Sequence, residues 1–189
     1  CLGILLGTVP AAQAAVTAKK ELSFSTLNIR WYGLNGDAMG EAGNESRNKT
    51  IRQHLIDNDL LTDVLAFEEI VDVDGLKRVV GSDYKCESYE HNQPRHQHVV
   101  VCVKSPLRFV KAEDDNFAYE DVALDHHRPA VHGWVTTSQG NKLVHFIAVH
   151  LKAMPDHTET RLTQAELIGD ALANMSTKVP TLITGDFNT

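Results

Sequence analysis

Residues 63–70, Asp-Val-Leu-Ala-Phe-Glu-Glu-Ile, are apolar on both faces of a strand until its acidic end. A strand wetted on one side alternates apolar with polar residues. This one does not, so it needs cover on two sides. The flanking segments offer that cover. Residues 22–33 read as a strand running into a polar loop, residues 33–48. Residues 46–58 place Ile51, Leu55 and Ile56 at helical spacing, and residues 74–81 suit a short helix capped by Asp74 and ended by Gly81.

Further along, residues 128–137 and 142–153 are strands around the turn at 138–141. Leu162, Ala165, Ile168, Leu172 and Met175 then line one face of a helix, and Pro180 precedes a last strand in residues 181–189. The acidic stretch at 112–121 reads as a solvated loop. This order predicts a mixed α/β domain with antiparallel hairpins, not a regular doubly wound sheet. No repeat or low-complexity linker divides the chain. Its 189 residues, 42% hydrophobic and 23% charged, suit one globular domain. A net charge of −7 argues against gripping a polyanion by charge alone, but a metal or a local patch could still do so.

The uncharged start, CLGILLGTVPAAQAA, is too short for a membrane span, and Ala12-Gln13-Ala14 has the small-x-small pattern of a signal-peptidase site. Residues 1–14 are therefore expected to be the remnant of a signal peptide, and residues 15–189 the domain, exported to a periplasm or cell exterior. A buried strand and a lipid-anchored Cys1 are the competing readings. Past that leader stand Cys86 and Cys102. In a hairpin centred on Pro94 they face each other, which allows a cross-strand disulfide; two buried thiols are the alternative.

Four strands end in polar residues that a core does not call for: Asn28, then Glu68 and Glu69, then His150, then Asp186 with Asn188. Strand ends are where a scaffold gathers side chains into one site. Asn and Glu are hard oxygen ligands for Mg²⁺ or Mn²⁺. An Asp can orient or deprotonate water, and a His can donate to charge building on phosphorus. Together these are the parts of phosphoester hydrolysis.

The stretches STLNIRWYG, DVLAFEEI, HRPAVHGWV, FIAVHLKA, RLTQAELI and LITGDFNT occur in an order that resembles the endonuclease/exonuclease/phosphatase superfamily, the deoxyribonuclease I-like proteins. The resemblance implies a four-layer α/β/β/α sandwich. It implies Asn28 and Glu69 as metal ligands, His150, Asp186 and Asn188 as catalytic residues, and Arg128 and Gln97 near substrate. His127 competes with Arg128 for its place, and Glu68 stands where family members usually have Gln. Since adjacent strand residues point to opposite faces, only one of Glu68 and Glu69 is expected to reach the metal. The family's Ser-Asp-His motif does not occur in the chain. The chain is accordingly expected to be a fragment, incomplete at its C-terminus and inactive by itself.

The implied activity is divalent-metal-dependent phosphodiester hydrolysis, with nucleic acid as substrate for an exported endonuclease acting on DNA or RNA. Sphingomyelin or phosphoinositide head groups, and a non-catalytic binding protein on the same fold, are the alternatives. No stable protein partner is implied.

Overall fold

A computed structural model describes residues 21–33, 40–89, 97–112, 127–173 and 178–189. The leader and its cleavage pattern, the turn around Pro94, nearly all of the acidic stretch and Met175 lie outside the described residues.

Two four-stranded sheets face each other. In the first, β1 (Phe24–Tyr32) lies parallel to β2 (Val64–Ile70), and β4 (His98–Lys104) separates β2 from β3 (Tyr84–Ser88). In the second, β5 (Arg108–Lys111), β6 (Val131–Thr136) and β7 (Lys142–His150) are antiparallel, and β8 (Thr181–Asp186) lies parallel to β7. Helix α1 (Gly40–Asp57) links β1 to β2, and α3 (Thr158–Ala173) links β7 to β8. A parallel pair cannot be joined by a tight turn, so both crossovers are helical. The short helix α2 (Val73–Val80) follows β2.

The alternation along β2 explains the layering. Val64 and Ala66 face the second sheet, packing with Val131, Val144 and Phe146, while Leu65 and Phe67 face Leu55 of α1 and Leu76 of α2. Behind the second sheet, Ile147 and Val149 pack on Ile168 and Leu172 of α3. The layers are thus helices, sheet, sheet, helix: the expected α/β/β/α sandwich. Cys86 and Cys102 are directly opposed on β3 and β4 and form a disulfide with Cα atoms 3.9 Å apart. Among the described residues no helix is long and apolar enough to cross a membrane.

Several local expectations change. Helix α1 starts at Gly40, inside the expected loop, and Ile56 is exposed although Ile51 and Leu55 are buried. Asp72, not Asp74, caps α2: its Oδ1 accepts the Gly75 N–H at 2.7 Å, whereas Asp74 sits in the first turn beside Lys77. On α3 the buried residues are Gln164 and Ile168, and Leu162 is 59% exposed. The helix is rotated from the face its apolar residues suggest, because Gln164 is drawn inward to a backbone group after β7.

Candidate active site

The carboxyl ends of β2, β7 and β8 meet the second half of β1 at one end of the sandwich. There the ladder between β7 and β8 runs without a break to His150 opposite Asp186. The β1–β2 ladder instead breaks after Asn28 and Glu68 and resumes at Tyr32 and Ile70. Within the break Arg30, Trp31 and Glu69 take positive φ values of 30°, 52° and 61°. Left-handed backbone at three residues with side chains is costly and persists only where surroundings impose it. Those surroundings are visible. Asn28 Oδ1 accepts the Arg30 N–H at 2.9 Å, Glu69 Oε2 accepts the Trp31 N–H at 3.2 Å, and Arg47 of α1 donates to the carbonyls of Ile29 and Arg30.

The break re-aims Glu69. On β1, Phe24 packs between the sheets, so Asn28 four residues on projects to that same face. Its amide nitrogen donates to Glu69 Oε1 at 2.9 Å and to Asp186 Oδ2 at 2.8 Å, tying both sheets together. Glu69 Oε2 also accepts Gln97 Nε2 at 3.0 Å, and Gln97 Oε1 accepts Arg128 Nη1 at 3.1 Å. Arg128 continues the chain of contacts, donating Nε to the His150 carbonyl and Nη2 to the Leu151 carbonyl, at 3.2 and 2.9 Å. Asn188 closes it, with Nδ2 on the Leu151 carbonyl and its backbone N–H on Asp186 Oδ1, both at 3.0 Å. All seven residues singled out from the sequence therefore fall in one network. Of the two candidates Arg128 and His127, Arg128 is tied into it by three side-chain hydrogen bonds.

Glu68 keeps the phase of Val64 and Ala66, on the face between the sheets, and Glu69 is the residue out of phase. The two were expected to point to opposite faces, yet Glu68 too lies at the site: with Thr26, Asn28, Asp186 and Asn188 it lines the cleft between the sheet ends. Strict alternation fails because a bulge adds a residue out of phase. Thr26 Oγ1 donates to the Glu68 carboxyl at 3.0 Å. Burial raises the Glu68 pKa to about 7, and the negative charges of Asp186 and Glu69 push the same way. No sequence signal marked Thr26, whose side chain matters only because β1 lies beside β2.

Burial also sets the state of His150, whose pKa is pushed down to about 3, helped by the positive Arg128 and opposed by Asp186. The imidazole is neutral at ordinary pH, with Nε2 3.9 Å from Asp186 Oδ2 and a buried Nδ1 that has no hydrogen-bond partner among the described residues. Burial pulls the Arg128 guanidinium below its ordinary value, while Glu69 and Asp186 hold it up. The arrangement gathers a cationic group, a neutral imidazole and a carboxylate held through both oxygens at one end of the sandwich.

The fold has counterparts among solved structures. D. rerio TDP2 complexed with a single-strand DNA product superposes with a TM-score of 0.62 at 16% identity, over 90% of this chain and 62% of that one. A Bacteroides thetaiotaomicron mannosyl-6-phosphatase gives 0.63 at 17% identity, over 89% and 66%. An endonuclease/exonuclease/phosphatase family protein from the same species gives 0.61 at 18% identity, over 88% and 62%. The fold is that of the endonuclease/exonuclease/phosphatase superfamily. The chain spans about 62% of the length of the TDP2 structure it matches. No protein-family model matches the chain, and no curated protein matches it in sequence.

Proposed function

We propose that the protein is an exported phosphodiesterase that uses Mg²⁺ or Mn²⁺ to hydrolyse nucleic acid, DNA or RNA, as an endonuclease. The observation that carries this reading is the network joining Asn28, Glu69, Gln97, Arg128, Asp186 and Asn188, with the backbone of His150, across both sheets. The single-strand DNA product bound to D. rerio TDP2 supports a nucleic-acid substrate. The Cys86–Cys102 bridge supports export, since disulfides persist in oxidising compartments.

Asn28 and Glu69 would hold the divalent cation. Two carboxylates, Glu69 and Asp186, converge on the Asn28 amide nitrogen and offer hard oxygens, while Asn28 Oδ1 accepts the Arg30 N–H and would have to exchange that bond for the ion. Among the described residues no three or more His, Cys, Asp or Glu side chains are grouped so as to hold a metal ion by themselves, so the ion would depend on water and substrate oxygens as well. A sparse oxygen set suits Mg²⁺, which keeps waters and binds through one or two carboxylates with substrate phosphate. Such an ion, when bound, supplies charge neutralisation at a phosphoryl oxygen.

The chain's own residues supply the rest. Asp186, held through both carboxylate oxygens, orients a water and accepts its proton as the oxygen attacks phosphorus; the ester P–O bond breaks, and the departing oxygen takes the bonding pair and is protonated by solvent. Neutral His150 donates from Nε2 to a phosphoryl oxygen, and Arg128 contributes positive charge beside it. Preorganised donors of this kind need no rearrangement during reaction.

The test is hydrolysis of single-stranded DNA, RNA and an aryl phosphodiester by the purified protein, expressed from its whole reading frame. Turnover should require Mg²⁺ or Mn²⁺ and stop with chelator, and Glu69→Gln and Asp186→Asn should each lower kcat about 10³-fold. A folded protein that cleaves no phosphoester with either metal would sink the reading. Faster turnover of a sugar phosphate than of any diester would favour a second reading, a phosphomonoesterase, which the likeness to the mannosyl-6-phosphatase supports.

A further inference from the structure

The peptide unit between Leu151 and Lys152 is gripped from both sides. Its carbonyl oxygen accepts Arg128 Nη2 at 2.9 Å and Asn188 Nδ2 at 3.0 Å, both residues of the site. Its N–H donates to Gln164 Oε1 at 2.8 Å, from the middle of α3. Gln164 is fully buried on the helix face that meets the second sheet, where an aliphatic side chain would cost less to place. Three residues earlier on the helix, Arg161 donates to the carbonyls of Lys152 and Met154, at 3.1 and 2.7 Å, and to Thr158 Oγ1 at 3.0 Å. The clamp is tight enough to keep Met154 at φ 83°, ψ 138°, a conformation that residues with a Cβ rarely adopt.

We propose that Gln164, assisted by Arg161, is a positioning residue of the site, acting through one peptide plane. A peptide group is planar and stiff, so fixing its N–H fixes the direction of its C=O. Gln164 sets the plane; the Leu151 carbonyl, thus aimed, holds Arg128 against the substrate cleft and Asn188 beside Asp186. Gln164 acts on them from the far side of that peptide. Its effect reaches them because the carbonyl has two acceptor directions, and both are taken by site residues. This inference rests on the reading of the site proposed above.

The experiment compares Gln164→Met, which keeps length and loses the acceptor, with Gln164→Glu, which keeps an acceptor oxygen. Ile168→Val, on the same buried face, serves as a control that perturbs packing alone. Three quantities are read in the intact protein: exchange of the Lys152 amide, the NMR resonance of the Arg128 Nε–H, and kcat and KM for an aryl phosphodiester. Gln164→Met should speed Lys152 exchange, shift the Arg128 resonance and lower kcat about 10–100-fold with KM little changed, as loss of a supporting contact does in other sites. Gln164→Glu should recover most of each loss, and Ile168→Val should leave the Arg128 resonance and kcat in place. The inference is overturned if Gln164→Met leaves the Arg128 resonance unchanged, or if Ile168→Val moves it as far. Should the wild-type protein turn over no phosphoester, the functional reading fails alone, and the exchange and resonance measurements still decide the role of Gln164.

Discussion

The pair β1–β2 and the pair β7–β8 are both parallel, both joined by a helix, and both end at the cleft, yet they deliver their residues differently. In β7–β8 the regular ladder sets His150 opposite Asp186 without distortion; the left-handed position inside it is Gly185, at φ 131°, and Asn188, at φ 51°, follows only after the strand has ended. In β1–β2 the ladder breaks, and residues with side chains take the left-handed conformations. One half reaches the site by regularity. The other reaches it by a strained bulge, held by Arg47 and by the site's own Asn28 and Glu69. Strain therefore collects on the side that would hold the metal.

The largest expected effect tests the regular half. A Cβ at Gly185 would lie 1.9 Å from the Val149 carbonyl oxygen, so Gly185→Ala should unpair β7 from β8 and cost about 3 kcal/mol or more. Chemical denaturation measures it, and a loss below about 1 kcal/mol would mean that the two strands are not so closely apposed. Next comes the crosslink in the first sheet. Replacing Cys86 and Cys102 together by Ser should cost about 3 kcal/mol while leaving the second sheet's site residues undisturbed, and the unreduced protein should show neither thiol free on titration.

Protonation separates the halves further. The raised pKa of Glu68 makes the folded state favour the neutral carboxyl, so its contribution is full below pH 4.5 and is lost as pH rises towards about 7. The lowered pKa of His150 works the other way: the unfolded imidazole takes up protons first, so stability is lost as pH falls from 6.5 towards about 3. Melting profiles in chelator should show Glu68→Gln gaining on wild type as pH rises through the first window. His150→Gln should gain as pH falls through the second, each by at most about 1.4 kcal/mol per pH unit. Parallel profiles for wild type and either variant would remove that group from the account. The smallest effect probes the bulge itself: exposed Arg30 at φ 30° should tolerate Gly with a gain of about 0.5–1 kcal/mol. A loss on Arg30→Gly would show that the bulge is not strained there.

Much of the site was legible because a single polar residue at the end of an apolar run stands out. Asn28, His150, Asp186 and Asn188 are of that kind; ladders carry the first three, and Asn188 follows β8 in a left-handed conformation. Glu68 and Glu69 were not legible in the same way. Adjacent carboxylates on an ideal strand part to opposite faces, but a left-handed residue shifts the phase, and nothing in Phe-Glu-Glu-Ile announces it. The buried face of α3 was misjudged for a related reason. Apolar spacing favours Leu162 and Ala165, whereas a backbone N–H at Lys152, unseen in one dimension, draws Gln164 inward.

By itself the sequence determined the layering, through the two-faced apolar strand β2, the positions of most elements, the opposition of Cys86 and Cys102, and the residues that a phosphoester site would use. These follow from local periodicity and residue chemistry, which act over a few neighbours. Only the tertiary structure decided that Glu69 joins Glu68 at the site, that Arg128 joins the network, and that Gln164 supports it from behind. Each of those outcomes depends on which backbone polar groups the packed sheets leave to be satisfied, and that is settled only when distant strands meet.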